Sequence, residues 1–238
     1  MADMTTLKAS PTVQSMEITD MIQMYGVSMR YKHDIEVLHN INMSVEKGEF
    51  AFLVGPSGAG KTTVLRLLYR ELVPTEGQIV VAGYNLSKIR SAQLPHFRRK
   101  LGIVFQDFKL LPNKTVERNI AFSMRVTGAK RSQIKKNVDR AIEWTNLQHR
   151  RKALPEDISG GEQQRTSIAR AIVNDPLLIL ADEPTGNLDP VLSLEIMRLF
   201  ERANTRGTTV LVATHDVDLV GRMGKRVIRI ERGGIIEE

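Results

Sequence analysis

Residues Phe50-Ala51-Phe52-Leu53-Val54 run directly into Gly55-Pro56-Ser57-Gly58-Ala59-Gly60-Lys61-Thr62-Thr63. The first five form an uninterrupted apolar run, which is how a strand buried on both faces of a parallel sheet reads. The next stretch fits G-x-x-x-x-G-K-[ST] in full, and its glycines let successive backbone N–H groups converge on one anion. From Thr62 to Leu72, the residues Leu65, Leu68 and Leu72 fall at helical spacing, so the loop opens a helix whose N-terminus favours negative charge. The bland alternative is a glycine-rich turn ahead of a surface lysine. Strand, loop and helix in that order favour a phosphate cradle, in which Lys61 reaches the β- and γ-phosphates and the Thr62 hydroxyl ligates Mg²⁺.

The same alternation extends outward. Ile22–Val27, Ile35–Val45 and Gln78–Ala82 read as strands, with a turn at Pro74-Thr-Glu-Gly77. Gly161–Val173 reads as a helix and Leu177–Ala181, the most apolar run in the chain, as a central strand. Val191–Asn204 is an amphipathic helix, Thr208–Ala213 a strand, Val217–Arg222 a short helix and Arg226–Ile230 the last strand. Strands alternating with helices imply a parallel sheet with right-handed crossovers. Between them, Thr115–Thr127 and Ser132–Thr145 are helical, broken at Gly128, with Ser132 placed as an N-cap. This basic stretch, about residues 108–174, reads as a helical subdomain inserted into an α/β core. The first twenty residues lack periodicity and read as a flexible tail, leaving one domain over 21–238.

Composition narrows the chemistry. The 238 residues include no cysteine, which excludes disulfides, thiolate nucleophiles and cysteine-held metals and fits a reducing compartment. No apolar run reaches the ~18 residues that a membrane-spanning helix needs, and the start does not read as a secretory signal. The 34 Lys+Arg against 27 Asp+Glu give a formal charge of +7, compatible with nucleic acid, anionic lipid or phosphate ligands.

Two further motifs carry chemistry. Leu177–Ala181 ends in Asp182-Glu183, and a carboxylate at the carboxyl end of a buried strand is placed to hold Mg²⁺ beside the loop. Glu183 points elsewhere and can polarise an attacking water. The alternative is a pair of acids capping the next turn. Ile158-Ser159-Gly160-Gly161-Glu162-Gln163-Gln164 opens a helix and makes a second anion nest, or simply an N-cap supplied by Ser159. A second phosphate site in one chain suggests two copies, each closing the other's site.

Together these motifs resemble the nucleotide-binding domain of the ATP-binding cassette (ABC) family over nearly all of Met21–Glu238. The resemblance implies a P-loop NTPase fold with a RecA-like core and an inserted helical subdomain. It implies ATP and Mg²⁺ as cofactors, hydrolysis of Mg·ATP, and a head-to-tail homodimer with ATP between the loop Gly55–Thr63 of one copy and Ser159–Glu162 of the other. Residue by residue, Tyr31 stands where the family stacks a ring on adenine, although it also reads as an aromatic in a strand core. Gln106 matches the glutamine that senses Mg²⁺ and the attacking water, and Asn187-Leu-Asp189 the loop that signals between sites. His215, elsewhere a structural hydrogen-bonder, matches the switch histidine on the γ-phosphate. Thr62, Gln106 and Asp182 are then the metal ligands, Glu183 the base, and Lys61 the phosphate clamp.

Within the family, Gly102-Ile-Val-Phe-Gln-Asp-Phe-Lys-Leu-Leu111 and Phe105 to Val116 look like the cell-division branch, whereas Asp182-Glu-Pro-Thr-Gly-Asn-Leu-Asp189 is shared with lipoprotein-release and macrolide-efflux ATPases. That resemblance implies an integral membrane partner of the FtsX type, control of cell-wall hydrolases, and a peripheral place on the cytoplasmic face of the plasma membrane at the division site. The chain departs from the pattern in its longer N-terminal tail and in Arg118, which stands where an acid is usual. Transport ATPases are the alternative. A soluble ABC protein on nucleic acid or ribosomes is a further one, but such proteins usually carry two cassettes or a long arm. The basic groups Arg98-Arg-Lys100, Lys130-Arg131, Lys135-Lys136 and Arg150-Arg-Lys152 read either as a solvated face or as a contact with the anionic inner leaflet. They lack the interleaved aromatics of a nucleic-acid site, and Trp144, with Ile134, Val138 and Ala141, reads as core.

Overall fold

The structure, a computed structural model, describes residues 20–31, 35–186 and 188–237. Of the expected tail, residues 1–20, the first nineteen lie outside the described residues, and Asp20 already belongs to the first strand. The chain opens with two long strands, β1 (Asp20–Tyr31) and β2 (Ile35–Glu46), then the buried β3 (Phe50–Val54) and helix α1 (Lys61–Leu68). Strands β4 (Glu76–Val81) and β5 (Tyr84–Asn85) return to the first pair, and α2 (Leu94–Arg98) leads into β6 (Leu101–Val104). Helices α3 (Val116–Val126), α4 (Arg131–Trp144) and α5 (Gly160–Ile172) follow with no described strand between them. Alternation then resumes with β7 (Leu178–Asp182), α6 (Pro190–Asn204), β8 (Thr209–Thr214), α7 (Val217–Met223), β9 (Arg226–Glu231) and β10 (Gly234–Glu237).

The strands form two sheets. One has the order β10-β9-β3-β8-β7-β6, parallel from β9 to β6 with β10 as an antiparallel edge. The other, β2-β1-β4-β5, is wholly antiparallel. The sequence gives no sign that β1, β2 and β4 form a sheet of their own, and it stops β1 at Val27. The cause is local: pairing shifts around Met24–Val27, where Gly26 takes φ 57°, so the apolar alternation loses its phase. Arg226–Ile230 is not the last strand either, because the chain turns at Arg232-Gly233 and pairs back as β10.

Strand β3 shows why its sequence is apolar throughout. Ala51 and Leu53 face a core shared with α1 and the antiparallel sheet, including Ile22, Met24, Leu38 and Ile79. Phe50, Phe52 and Val54 face the other side, among Ile168, Ile196, Met197 and Phe200. The period of two thus serves two cores at once. A third cluster joins α3, α4 and α5 through Ile120, Met124, Val138, Ile142, Ala169 and Val173.

Several helix ends shift by a residue from the sequence reading, and two have a specific backbone cause. Helix α1 stops at Leu68 rather than Leu72, because Arg70 takes φ 60°. The Glu71 N–H then donates to the Arg66 carbonyl (2.9 Å) and the Arg70 N–H to that of Leu67 (3.0 Å), a Schellman closure made without glycine. Helix α4 begins at Arg131 with Lys130 outside it, so Ser132 is inside the first turn and not its cap. The Lys130 N–H donates instead to the Gln133 side chain (3.3 Å).

Phe200 is fully buried under the parallel sheet. Truncating it leaves a cavity that the β-sheet cannot collapse into, so Phe200→Ala is expected to cost about 3–5 kcal/mol in urea unfolding.

Candidate active site

The register of three parallel strands assembles the site. Val54 pairs with Thr214, and Ala213 with Asp182. The loop from Gly55, the imidazole of His215 and the carboxylate of Glu183 therefore leave neighbouring strand ends at one level.

The loop itself is held by close backbone approach. A Cβ at Gly55 would sit 2.1 Å from the Ile230 carbonyl oxygen, and Gly60, at φ 107°, would place one 2.6 Å from Leu38 Cδ2. Gly60 is also the N-cap of α1 and has no side chain to cap it, so the first amides of that helix remain available to an anion. Lys61 folds back over the loop. Its Nζ donates to the carbonyls of Gly55 (2.7 Å) and Pro56 (3.1 Å) and lies 3.3 Å from Glu183 Oε1. Both side chains are nearly dry, with 7% and 10% exposed. The other carboxylate oxygen of Glu183 lies 3.0 Å from His215 Nδ1.

Asp182 and Glu183 point apart, as expected. Glu183 takes a left-handed φ of 44°, and its N–H donates to the Ala213 carbonyl (2.9 Å). Asp182 instead accepts from the Thr62 hydroxyl at 3.1 Å. Burial, with the charge of Glu183, pushes the Asp182 carboxyl up, against the opposing effects of Thr62 and Lys61. A cavity of about 460 Å³ brings together Ser57, Lys61, Thr62, Gln106, Glu183 and His215. Tyr31, at the end of β1, has its hydroxyl 3.3 Å from Thr63 Oγ1 while its ring packs on the first core.

Ser159-Gly160-Gly161-Glu162 does not line that cavity. Ser159 caps α5, accepting from the Glu162 N–H, while Glu162 accepts from the Ser159 N–H (2.8 Å) and hydroxyl (3.0 Å). Arg150 Nε donates to the same carboxylate (2.8 Å), and His149 Nε2 lies 3.0 Å from it. Burial alone would raise this acid, but the hydrogen bonds from Arg150, Ser159 and His149 bring it down to about 2. The sequence reading missed these partners because it took Arg150-Arg-Lys152 for a basic surface. In the fold, Arg151 is also paired, with Glu117 and Asp139. Of the signalling loop, Asn187 lies outside the described residues, Leu188 packs on the second core, and Asp189 caps α6 through the N–H groups of Val191 and Leu192.

Comparison with known proteins shows the family and the fold. The family model described as "ABC transporter" matches residues 38–186. The cell division ATP-binding protein FtsE of Streptococcus pneumoniae is 50% identical over 217 residues, covering 91% of this chain and 94% of that protein. The Bacillus subtilis FtsE is 49% identical over 92% of this chain and 96% of its own length. The chain belongs to the FtsE family of ABC ATPases. Among solved structures, the ATP-binding cassette MJ0796, described as a dimer in a post-hydrolysis state bound to ADP and Pi, superposes with a TM-score of 0.84 at 33% identity, over 91% of this chain and 97% of that one. The cbiO1 cassette of Clostridium perfringens gives the same TM-score at 28% identity, over 92% of this chain and 88% of its own. The chain is thus an ATP-binding ATPase with the ABC fold, and no helix among the described residues is long and apolar enough to cross a membrane.

The depressed Glu162 gives a signed pH effect. A carboxyl lowered by folding contributes stability above its unfolded value of about 4.3 and loses it as pH falls through the folded value. Urea midpoints are therefore expected to fall between about pH 4 and 2, the lower limit being the folded value. Glu162→Gln, which still completes the capping box, should flatten that slope.

Proposed function

We propose that two copies of this FtsE-family chain hydrolyse Mg·ATP at their shared interface, and that the cycle drives an FtsX-type integral membrane partner that controls cell-wall hydrolases at the division site. The convergence of Lys61, Glu183 and His215 on one cavity carries the reading of the chemistry.

Lys61 is held by Glu183 and two loop carbonyls. A bound γ-phosphate offers the ammonium a stronger partner, which draws Lys61 from Glu183 and leaves that carboxylate free to take a proton from water. His215, already on the second oxygen of Glu183, orients the carboxylate and meets the γ-phosphate. Thr62 and Asp182, in mutual contact, and Gln106 in the same cavity form a hard-oxygen donor set that suits Mg²⁺. The raised Asp182 beside Glu183 is the kind of acid pair that a divalent cation relieves. The ion would neutralise phosphate charge there. Tyr31 would stack on adenine, and Ser159, Gly160, Gly161 and Glu162 would face the nucleotide of the other copy. Catalysis is mainly positioning and electrostatics.

A mostly apolar groove of about 620 Å³ supports the membrane partner. It begins at Phe105, next to Gln106, and includes Phe122 and Val126, which are 45% and 62% exposed. Lys130, Arg131, Lys135 and Lys136 are exposed at the start of α4 and would face the anionic inner leaflet, placing the protein peripherally on the cytoplasmic side.

Glu183→Gln is expected to keep ATP affinity, lose turnover by ~100-fold or more and trap an ATP-dependent dimer in light scattering. Wild-type turnover would remove Glu183 as the base. In membrane pull-downs with ATP, the Glu183→Gln protein should recover an FtsX-type protein, and an added Val126→Asp should lose it. Recovery of a solute permease instead would move the function to transport.

A further inference from the structure

Immediately after Gln106 and Asp107, the chain passes through Phe108 at φ 54° and Lys109 at φ 47°. Consecutive non-glycine residues in the left-handed region are unfavourable unless something over-determines them. Local bonds from the Phe108 N–H to Phe105 and from the Lys109 N–H to Asp107 close the turn, and Arg170, from the far end of α5, ties it to the helix. Its Nη2 donates to the Phe108 carbonyl at 2.6 Å and its Nη1 to the Lys109 carbonyl at 2.5 Å. The guanidinium is partly buried, and burial pushes its pKa down. Among the described residues no carboxylate pairs with it. A partly buried cation bonded to two backbone carbonyls, with no carboxylate beside it, fixes their positions, so the position of this loop is what it secures.

The next part of the loop has a different anchor. Asn119 of α3 donates to the carbonyls of Leu111 (3.1 Å) and Lys114 (2.8 Å) and accepts from the Leu111 N–H (2.8 Å). Arg170 therefore governs the half nearest Gln106, and Gln106 lines the cavity with Lys61, Thr62, Glu183 and His215. The helix that carries Arg170 also carries Ser159 at its start, about three turns away.

We propose that Arg170 is the positioning residue that fixes Gln106 at the nucleotide cavity, so that the Gln106 loop and the Ser159-bearing helix α5 move as one body. The proposal rests on the reading of Gln106 as the residue that senses Mg²⁺ and the attacking water, and of Ser159 as a nucleotide contact in the other copy. It makes each copy's own site and the half-site it lends its partner mechanically continuous, and it places the grip on the wall of the groove that includes Phe105, Lys109 and Phe122.

The test is a double-mutant cycle on Mg-dependent ATP turnover with Gln106→Ala, Arg170→Ala and both. Each single change is expected to lower kcat by about tenfold to a hundredfold. The double variant should be within about twofold of the worse single one, since Arg170 acts through Gln106. Mg-free ATP affinity should stay within about twofold of wild type in all three, because the phosphate loop is untouched. Losses that multiply, wild-type turnover in Arg170→Ala, or ATP affinity falling with kcat would each overturn the proposal. If Arg170→Ala does not fold, Arg170→Lys decides. Lysine keeps the charge but lacks the planar fork that spans two carbonyls, so its turnover should fall and its Mg²⁺ requirement rise. Adding Lys109→Gly, which adopts the left-handed turn freely, should recover part of both; no recovery counts against the grip. Wild-type turnover in Gln106→Ala is a separate result. It would remove the reading of Gln106 and the proposal with it, whereas failure at Arg170 alone leaves that reading standing.

Discussion

Strand β3 pairs in parallel with β8, and β8 with β7, with Val54 opposite Thr214 and Ala213 opposite Asp182. Parallel neighbours lie about 4.8 Å apart, so the residues that leave their carboxyl ends are within one side chain of each other. That is why Lys61, Glu183 and His215 meet, although they belong to three separate parts of the sequence. The register is itself held by burial on both faces. A slip of one residue would exchange Leu53 with Phe52 between two differently shaped cores. Packing far from this cavity thus sets distances inside it, and those distances depend on phenylalanines that never touch it.

The site must then tolerate its own charges. Lys61 and Glu183 are almost without water, and such charges are stable only when paired and hydrogen-bonded. The fold meets this by turning Lys61 back on the loop carbonyls and on Glu183, and by giving Glu183 a second contact at His215. Asp182 is served less well. It has the Thr62 hydroxyl, but burial and Glu183 both work against its ionised form. The loop end is therefore short of positive charge on the Asp182 side and fully matched on the Glu183 side. That asymmetry separates the two acids physically, although they are adjacent in sequence and alike in chemistry.

The strand, loop and helix around Gly55–Thr63 were readable from sequence, because the residues that build the turn are consecutive. The strand at Leu177–Ala181 and the opening of α5 at Ser159 were readable for the same local reason. What escaped depended on distance along the chain. The antiparallel sheet joins β1 to both β2 and β4 through registers interrupted by bulges, and no local period encodes such a pairing. The end of α1 escaped because Arg70 occupies a conformation that a reader expects of glycine. Glu162's partners escaped because His149 and Arg150 precede it across a loop that holds one short 3₁₀ turn, Pro155–Asp157, where their charges look like surface. Arg170 escaped for a further reason: its acceptors are carbonyls, which every sequence has everywhere, so no residue type announces the contact.

The motifs also divide in space in a way that bears on assembly. One cavity collects Lys61, Thr62, Gln106, Glu183 and His215, while Ser159 to Glu162 stand apart from it, with Ser159 and Glu162 bonded to each other. On the proposed function, each chain would offer one half-site at the loop and a different one at α5. In the proposed dimer both halves meet twice, so nucleotide binding energy becomes association energy, and loss of the γ-phosphate withdraws it from two contacts at once. Helix α5 is the element common to both. It packs against α3 and α4 in the third core, presents Ser159 at one end and grips the Gln106 loop at the other. A rigid element with those attachments cannot report on one site without disturbing the second, and the apolar groove along its flank is where a membrane partner would sense the difference.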